Sequence, residues 1–289
     1  MFKIDHREMT WPQIDLIDID ADSLVTLAPT RGGLVTRWRA RSHEVLYLDD
    51  ATFQDGSKNV RGGIPVLFPS PGKLTADRWQ QGEHGGSLKQ HGFARNLPWR
   101  VLDEGTAEEA SATLGLEASE ATRAGYPYDF EARFRYALRG SSLHITMHVL
   151  NRGSGPMPCA VGFHPYFALP QAAKAQARVE TSATRAFDNV QKCEVPYRLD
   201  LSGAEVDLHL LDHGTSRSAL IGPGGRVKME ASPEFTHWVI WTLPGRDFVC
   251  LEPWTSPADA LTSGDRLLQI APGETRTLTV TMQFEPAPT

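Results

Sequence analysis

A period-two alternation of apolar and polar residues is the feature that most restricts what this chain can fold into. In residues 143–150 every second residue is apolar, and residues 278–284 repeat the pattern near the end of the chain. Successive side chains of a strand point to opposite faces of a sheet, so this pattern predicts half-buried strands. Four other stretches show similar alternation: 15–27, 113–118, 130–138 and 226–231.

Turn-forming residues separate these stretches, and helical patterns are scarce. The chain contains 25 Gly and 20 Pro, many of them in short turn signals such as Arg139-Gly140-Ser141. The Ala/Glu-rich residues 105–112 favour a short helical turn or an exposed linker. Many short strands joined by Gly/Pro turns indicate an all-β protein with an antiparallel β-sandwich or barrel. Because no repeat or linker divides the sequence, we expect one domain over residues 1–289.

Charge and cysteine content exclude several classes of protein. Lys plus Arg is 29 and Asp plus Glu is 35, a net charge of -6, so we expect no nucleic-acid partner. No segment approaches the ~20 apolar residues of a membrane helix, and the first residues lack a signal peptide. Cys159, Cys193 and Cys250 are too widely spaced for a metal knuckle, and His144 and His148 lie in a predicted strand. We therefore expect a cytoplasmic monomer or weak homodimer with reduced thiols and no metal site.

Three segments interrupt the strand pattern and place a titratable side chain among Gly, Pro and aromatic residues. They are residues 59–73 with their continuation to 91–99, residues 161–167, and residues 249–257. Glycine allows a backbone to approach a ligand closely, proline fixes a loop, and aromatic faces stack on the C–H surfaces of sugars. These segments favour a carbohydrate ligand.

One histidine and one glutamate in such a pocket could open a pyranose ring. A base would remove the proton of the anomeric O1, an acid would protonate the ring oxygen, and closure would give the other anomer. We expect a carboxylate base and an imidazolium acid on opposite sides of the ring, each contributing ~10²–10⁴ in rate. Burial would raise the pKa of the glutamate, whereas histidine already titrates near neutral pH. This chemistry requires no metal, nucleotide or electron carrier.

The same segments carry a resemblance to a known family. The strings Arg61-Gly62-Gly63-Ile64-Pro65 and His91-Gly92-Phe93-Ala94-Arg95, followed by the segments around His164 and Glu252, occur in the order found in that family. From about Ser23 to Phe284 the chain resembles the aldose 1-epimerase (galactose mutarotase) family, most closely its hexose-6-phosphate (glucose-6-phosphate) 1-epimerase branch. The resemblance implies a galactose mutarotase-like β-supersandwich that interconverts the α and β anomers of a hexose or hexose 6-phosphate.

The resemblance also assigns roles to individual residues. It implies that His164 is the catalytic acid and Glu252 the catalytic base. It further implies that His91 contacts the sugar near the ring oxygen and that Arg61 binds substrate. Arg95 is a candidate for holding a phosphate, since a planar guanidinium suits that group.

Two departures from the family pattern leave the sugar preference open. Galactose mutarotases carry an Asp-His-Asn-Phe-like segment whose aspartate binds sugar hydroxyls. The nearest string here is Asp-His-Gly-Thr at 212–215, so no aspartate is assigned. Glu252 is followed by Pro253-Trp254 rather than the Thr-Gln of that branch.

Two other classes of function stay open. A carbohydrate-binding or sugar-sensing sandwich would bind sugars without accelerating any reaction. A glycoside hydrolase or lyase on a related sandwich usually needs two carboxylates that flank the bond, and only Glu252 is a well-placed candidate.

Overall fold

The computed structural model describes residues 1–288, and these contain 25 strands, here numbered β1–β25 along the chain, three short α-helices and three 3-10 helices (Thr75–Asp77, Ala94–Asn96 and Gln171–Gln176). Every pair of neighbouring strands runs antiparallel. The α-helices are α1 (Asp50–Gln54), α2 (Glu120–Arg123) and α3 (Ala260–Ser263). Within residues 1–288 no helix has the length and apolar character needed to cross a membrane.

The first sheet has five strands in chain order. They are β1 (Phe2–Arg7), β2 (Gln13–Asp18), β3 (Ser23–Ala28), β4 (Leu34–Ala40) and β5 (His43–Glu44). The alternating stretch predicted at 15–27 is therefore two strands. The chain reverses between them because the amide of Asp22, with φ 48°, donates to the carbonyl of Ile19.

The second sheet has eight strands in the order β16-β20-β21-β25-β12-β11-β10-β9. Their bounds are β9 (Arg100–Gly105), β10 (Ala110–Glu117), β11 (Phe130–Arg139), β12 (Ser142–Asn151), β16 (Arg178–Glu180), β20 (Arg217–Gly222), β21 (Gly225–Ala231) and β25 (Thr275–Pro286). In β12 every second residue is buried, as the alternation predicts. The helical turn predicted at 105–112 is wrong, because Gly105 pairs with Ser111 in a hairpin between β9 and β10; only residues 106–109 form a mostly exposed connection, as the alternative had it.

The third sheet also has eight strands, in the order β18-β17-β19-β22-β23-β14-β6 with β15 added on β23. Their bounds are β6 (Val66–Leu67), β14 (Gly162–Phe163), β15 (Tyr166–Ala168), β17 (Arg185–Asp188), β18 (Cys193–Pro196), β19 (Val206–Leu210), β22 (His237–Thr242) and β23 (Phe248–Trp254). Two small two-stranded sheets complete the fold: β7 (Arg78–Gln81) with β8 (His84–Ser87), and β13 (Met157–Cys159) with β24 (Leu268–Ile270).

The apolar faces of the three large sheets meet in one core. Trp38 of β4, Phe134 of β11 and Phe163 of β14 are fully buried members of the same hydrophobic cluster. The rings of Phe134 and Phe163 approach to 6.1 Å between centroids, and strands β2 and β3 lie against β10 and β11. Removing these apolar faces from water is the main stabilising contribution to the fold. The predicted all-β class with antiparallel sheets packed as a sandwich is confirmed.

Candidate active site

The three segments that interrupt the strand pattern come together in the third sheet. Strand β14 lies between β6 and β23, so Gly162 pairs with Leu67 on one side and with Trp254 on the other. Just beyond β14, the amide of His164 donates to the carbonyl of Pro65 over 3.1 Å. Segments that are distant in the sequence are therefore hydrogen-bonded neighbours, as their shared composition suggested.

Two motif glycines allow this close approach of backbones. Gly63 has φ 66° and Gly92 has φ 69°, in the left-handed region that favours glycine. A Cβ atom on Gly63 would lie 2.2 Å from the carbonyl oxygen of Val35, and one on Gly92 would lie 2.2 Å from that of Phe68. Both distances are far below van der Waals contact, so any other residue would push these backbones apart.

Alternation along adjacent strands builds the polar face of a cleft of 910 Å³. Residues two apart in a strand share a face, and residues paired across strands lie side by side. Two such rows line the cleft: Asp207 and Trp241 form one, and His209, Val239 and Glu252 form the other.

His164 and Glu252 touch each other at the floor of the cleft. Nε2 of His164 lies 3.4 Å from Oε1 of Glu252, and the two residues are only 8% and 1% exposed. The indole N–H of Trp254 donates to Oε2 of Glu252 over 3.1 Å. Tyr166 stacks on the imidazole with 4.7 Å between centroids and 9° between planes. These contacts fix both side chains in one orientation.

The expectation that these two groups lie on opposite sides of a sugar ring is wrong, because a ring does not fit between atoms 3.4 Å apart. Adjacent groups nevertheless suit the chemistry. The anomeric O1 and the ring oxygen of a pyranose are both bonded to C1, so two neighbouring side chains can reach both oxygens from one side.

Burial shifts the pKa values of the pair in opposite directions. Burial, with the charge of Asp207 adding to it, raises the pKa of Glu252 well above its ordinary value. Burial, with the positive charge of Arg95 adding to it, lowers the pKa of His164 to about 3. The raised glutamate pKa agrees with expectation, whereas the histidine does not titrate near neutral pH. A neutral imidazole beside a carboxylic acid is thus the favoured form, and the pair holds one proton.

His91 is pinned beside this pair by its own backbone. Its amide donates to the carbonyl of Gly72 over 2.8 Å, and the amide of Gly72 donates back to Nδ1 of His91 over 3.0 Å. Burial lowers the pKa of His91 well below its ordinary value, so the ring is neutral. Because Nδ1 accepts, Nε2 carries the hydrogen; the side-chain amide of Gln90 lies 3.2 Å from this nitrogen and can accept that hydrogen only through its oxygen.

The two predicted arginines lie at different depths of the same cleft. Arg95 is partly buried, and its Nη2 donates to the carbonyl of Gln90 over 2.9 Å. Its buried Nε has no hydrogen-bond partner within residues 1–288, which leaves a donor available. Arg61 is exposed at the cleft wall. The five residues selected from the sequence, Arg61, His91, Arg95, His164 and Glu252, therefore all line one cleft.

Sequence reasoning missed two residues of β19. Asp207 and His209 line the cleft, while Leu208 between them faces the core. Oδ2 of Asp207 accepts from Nδ2 of Asn189 over 2.7 Å. The alternation of residues 206–210 was the available signal, but it does not distinguish a strand face on a cleft from one in solvent. Asp212, in the string judged not to match, accepts from the amide of Thr184 in a turn outside the cleft.

One group of side chains could hold a metal ion. The ligand atoms of His164, Cys250 and Glu252 all lie within 4.8 Å of one another. Burial raises the pKa values of the Cys250 thiol and the Glu252 carboxyl group, so both keep their protons. Metal ligands of these types bind in their deprotonated forms, so an ion would have to displace both protons.

Comparison with known proteins places this cleft in a family context. Among solved structures, the Slr1438 protein of Synechocystis sp. PCC 6803 has a TM-score of 0.92 and 36% identity, with 99% of each chain covered. A galactose mutarotase-like protein of Clostridium acetobutylicum has a TM-score of 0.83 at 18% identity, again over 99% of each chain. The predicted galactose mutarotase-like sandwich is therefore confirmed.

Sequence comparison agrees. A Cenchrus ciliaris protein named as a candidate glucose-6-phosphate 1-epimerase is 33% identical over 56% of this chain and 49% of its own length. The match thus spans about half of that relative. The sequence model of the aldose 1-epimerase family matches residues 15–283, nearly the whole chain. This chain belongs to the aldose 1-epimerase family.

Proposed function

We propose that this protein is an aldose 1-epimerase (mutarotase) that interconverts the α and β anomers of a hexose or hexose 6-phosphate by acid–base ring opening. The observation that carries the proposal is the buried contact of 3.4 Å between Nε2 of His164 and Oε1 of Glu252 at the floor of the cleft. A proton donor and a proton acceptor held side by side suit two oxygens that share one carbon.

In the proposed reaction the shared proton first passes from Glu252 to His164; Glu252 then removes the proton of O1 while His164 protonates the ring oxygen. The C1–ring oxygen bond breaks, C1 becomes a carbonyl, and the ring oxygen becomes a hydroxyl. These transfers convert a carboxylate–imidazolium pair into the neutral pair that burial favours. After C1 rotates, the reverse transfers close the ring on the other carbonyl face. The pair thus returns to its starting state, with one proton throughout.

The remaining side chains of the cleft would bind the sugar. We assign His91, through its Nε2–H, a hydrogen bond near the ring oxygen, and Arg61 a contact at the exposed rim. Asp207, whose carboxylate keeps accepting capacity beyond its bond from Asn189, would receive sugar hydroxyls. Trp254 is only 3% exposed but lines the cleft beside His91, and it offers an apolar surface for sugar C–H groups.

The position of Arg95 supports a hexose 6-phosphate, rather than a free hexose, as the substrate. Its guanidinium lies near enough to Glu252 and His164 to influence both pKa values, and it retains an unpaired buried N–H. C6 of a hexose is bonded to C5, next to the ring oxygen, so a 6-phosphate would lie within reach of a group beside His164. We expect Arg95→Ala to remove any rate advantage of glucose 6-phosphate over glucose and galactose. An advantage that survives Arg95→Ala would exclude this role.

We also propose that residues 1–289 work as one domain. The same hydrophobic cluster takes side chains from all three large sheets, so the cleft strands and the outer strands share one core. A single cooperative unfolding transition, with the same midpoint by calorimetry and by tryptophan fluorescence, is the expected result. Two separate transitions would contradict it.

The function is tested by NMR exchange or polarimetry on freshly dissolved glucose, galactose and glucose 6-phosphate. We expect the wild type to accelerate anomer exchange and Glu252→Gln to lose ~10²–10⁴ of that acceleration. Glu230→Gln, an exposed glutamate of β21, is the matched control and should leave the rate unchanged. Saturable sugar binding without any acceleration would instead support a carbohydrate-binding protein, and an active Glu252→Gln variant would remove the mechanism.

A further inference from the structure

A continuous row of four polar side chains runs from the protein surface to the cleft. Nη2 of Arg266 lies 3.4 Å from Nδ1 of His237, and Nε2 of His237 lies 2.9 Å from Nδ1 of His209. Nε2 of His209 in turn lies 3.5 Å from Oδ1 of Asp207. The side chain of Arg266 is 38% exposed, whereas His237 is only 2% exposed. The mechanism uses neither histidine of this row.

The two ends of the row determine the direction of every hydrogen bond in it. A guanidinium can only donate, so Nδ1 of His237 must accept from Arg266. Burial, with the charges of His209 and Arg266 adding to it, lowers the pKa of His237 well below its ordinary value, so this ring carries one hydrogen. That hydrogen is on Nε2 and is donated to Nδ1 of His209. Nδ1 of His209 therefore accepts, and its Nε2–H points to Asp207.

Asp207 is suited to terminate the row. Burial would raise its pKa, but hydrogen bonds from His209 and Asn189 outweigh that effect and lower the pKa below its ordinary value. The ionised carboxylate can only accept, so it agrees with a donor at Nε2 of His209. Asn189 and His209 approach different oxygens, Oδ2 and Oδ1, which leaves lone pairs on both for a ligand in the cleft.

Trp254 keeps the two histidines of the row in place. Its ring lies 5.6 Å from that of His237 and 5.5 Å from that of His209, the latter edge to face. The same tryptophan donates to Glu252. The row is therefore packed directly behind the proposed catalytic base, and its geometry is coupled to that part of the cleft.

We propose that Arg266, His237 and His209 form a hydrogen-bond relay that holds His209 in its Nε2–H tautomer and thereby orients Asp207 toward the substrate. The three are positioning residues, and Asp207 is the group that contacts the sugar. This proposal rests on the proposed epimerase function for its substrate. The relay itself is a property of the protein alone, so it can be tested without any substrate.

The decisive test is the tautomeric state of the two histidines, measured by two-bond ¹H–¹⁵N correlation on ¹⁵N-histidine-labelled wild type, with His237→Gln and His209→Gln for assignment. We expect both His209 and His237 as the neutral Nε2–H tautomer. An Nδ1–H tautomer or a doubly protonated ring at either position would overturn the relay. Arg266→Met, at the partly exposed end of the row, should broaden or split the His237 signal, whereas Arg266→Lys keeps a donor and should preserve it.

A kinetic comparison then tests whether the relay serves the reaction. His237→Phe keeps a ring against Trp254 but has no donor, whereas His237→Gln keeps an amide N–H near the position of Nε2. For the sugar that the wild type converts fastest among glucose, galactose and glucose 6-phosphate, we expect His237→Phe to raise KM about tenfold and to change kcat less than about threefold. His237→Gln should restore KM to within about threefold of the wild type.

The two proposals fail in different ways. If His237→Phe does not fold, the pair Arg266→Met and Arg266→Lys provides the same comparison from the surface. A wild type that is inactive on all three sugars would contradict the proposed function, and the tautomers would still decide the relay. An active wild type whose KM is unchanged in folded His237→Phe and in Arg266→Met would overturn the positioning role.

Discussion

Strands β12 and β19 show the same alternation but place their polar faces in different surroundings. In β12, His144 and His148 pair with threonine hydroxyls of β25, each over 3.0 Å, on the outer face of the second sheet. In β19, Asp207 and His209 occupy the equivalent alternating positions but face the cleft of the third sheet. A period-two pattern thus tells which side chains share a face, whereas the neighbouring strands decide whether that face meets solvent or a ligand.

The consequence of this difference is electrostatic. On the cleft face burial lowers the pKa values of His164 and His237 and raises that of Glu252. Desolvation penalises the charged form of each group, so burial favours the neutral forms of these side chains. Exposed side chains do not experience this penalty. We therefore expect proton transfer to the substrate only on the cleft face. Substitutions there should change kcat or KM, whereas substitutions on the outer face of the second sheet should not.

The largest expected effect comes from a matched pair of histidines. His164→Asn should lower kcat by ~10²–10⁴, because it removes the group that protonates the ring oxygen. His148→Asn makes the same change on the outer face of the second sheet and should leave kcat unchanged. Anomer exchange measured by NMR provides the comparison. Equal rates for the two variants would remove the functional distinction between the faces.

The next effect concerns Asp207. Asp207→Asn keeps the shape of the side chain but loses its charge, and we expect KM to rise by about 10–100-fold because hydrogen bonds to charged groups are strong. The negative charge of Asp207 also raises the pKa of Glu252, so the alkaline limb of kcat/KM should move to lower pH in this variant. Initial-rate measurements across pH report both quantities. An unchanged KM would exclude a sugar contact at Asp207.

A smaller effect is expected when pH alone is varied in the wild type. The reactive pair holds one proton; a second proton binds with the pKa of His164, lowered to about 3, and the last one leaves with the raised pKa of Glu252. The one-proton form therefore persists far below the ordinary histidine pKa, and kcat/KM should not fall as the pH is lowered from 7 to 5. A loss of kcat/KM on acidification with an apparent pKa near ~6.5, the ordinary value for histidine, would contradict the lowered pKa of His164.

The smallest effect is expected on the solvent face of the second sheet. Arg217 of β20 and Glu230 of β21 form an exposed ion pair. Arg217→Ala should change the free energy of unfolding by less than about 1 kcal/mol, because exposed pairs are screened and flexible. Denaturant titration measures this value, and kcat should not change. A decrease of several kcal/mol in the free energy of unfolding would contradict the assignment of this ion pair to the solvent-exposed face.

The sequence predicted the strands and the convergence of the motifs, but not the full shape of the cleft. Alternation predicted β12 and β25, and Gly-rich motifs with titratable residues pointed to His91, His164 and Glu252, all of which line the cleft. The expected separation of the acid and base was wrong, because it depends on how the segment after β14 packs beside β23, which local sequence does not determine. Asp207 was missed because a polar residue in a half-buried strand is normally solvated.

The hydrogen-bond relay could not be predicted from the sequence, because it also depends on the pairing of distant strands. His209 and His237 lie on neighbouring strands, and only the register that pairs His209 with Val239 and His237 with Trp254 brings their rings together. Likewise, the split of residues 15–27 into β2 and β3 depends on a single turn ending at Asp22. Local alternation predicts which side chains share one face of a strand, whereas the pairing of distant strands determines which of those side chains meet in a binding site.

The most direct test of the central claim is a double-variant cycle on anomer exchange with His164→Asn, Glu252→Gln and the two combined. Because the two groups touch and share one proton, we expect the double variant to be about as slow as the slower single variant. Losses that multiply in the double variant would show that the two side chains act independently, and would contradict a shared-proton pair at the floor of the cleft.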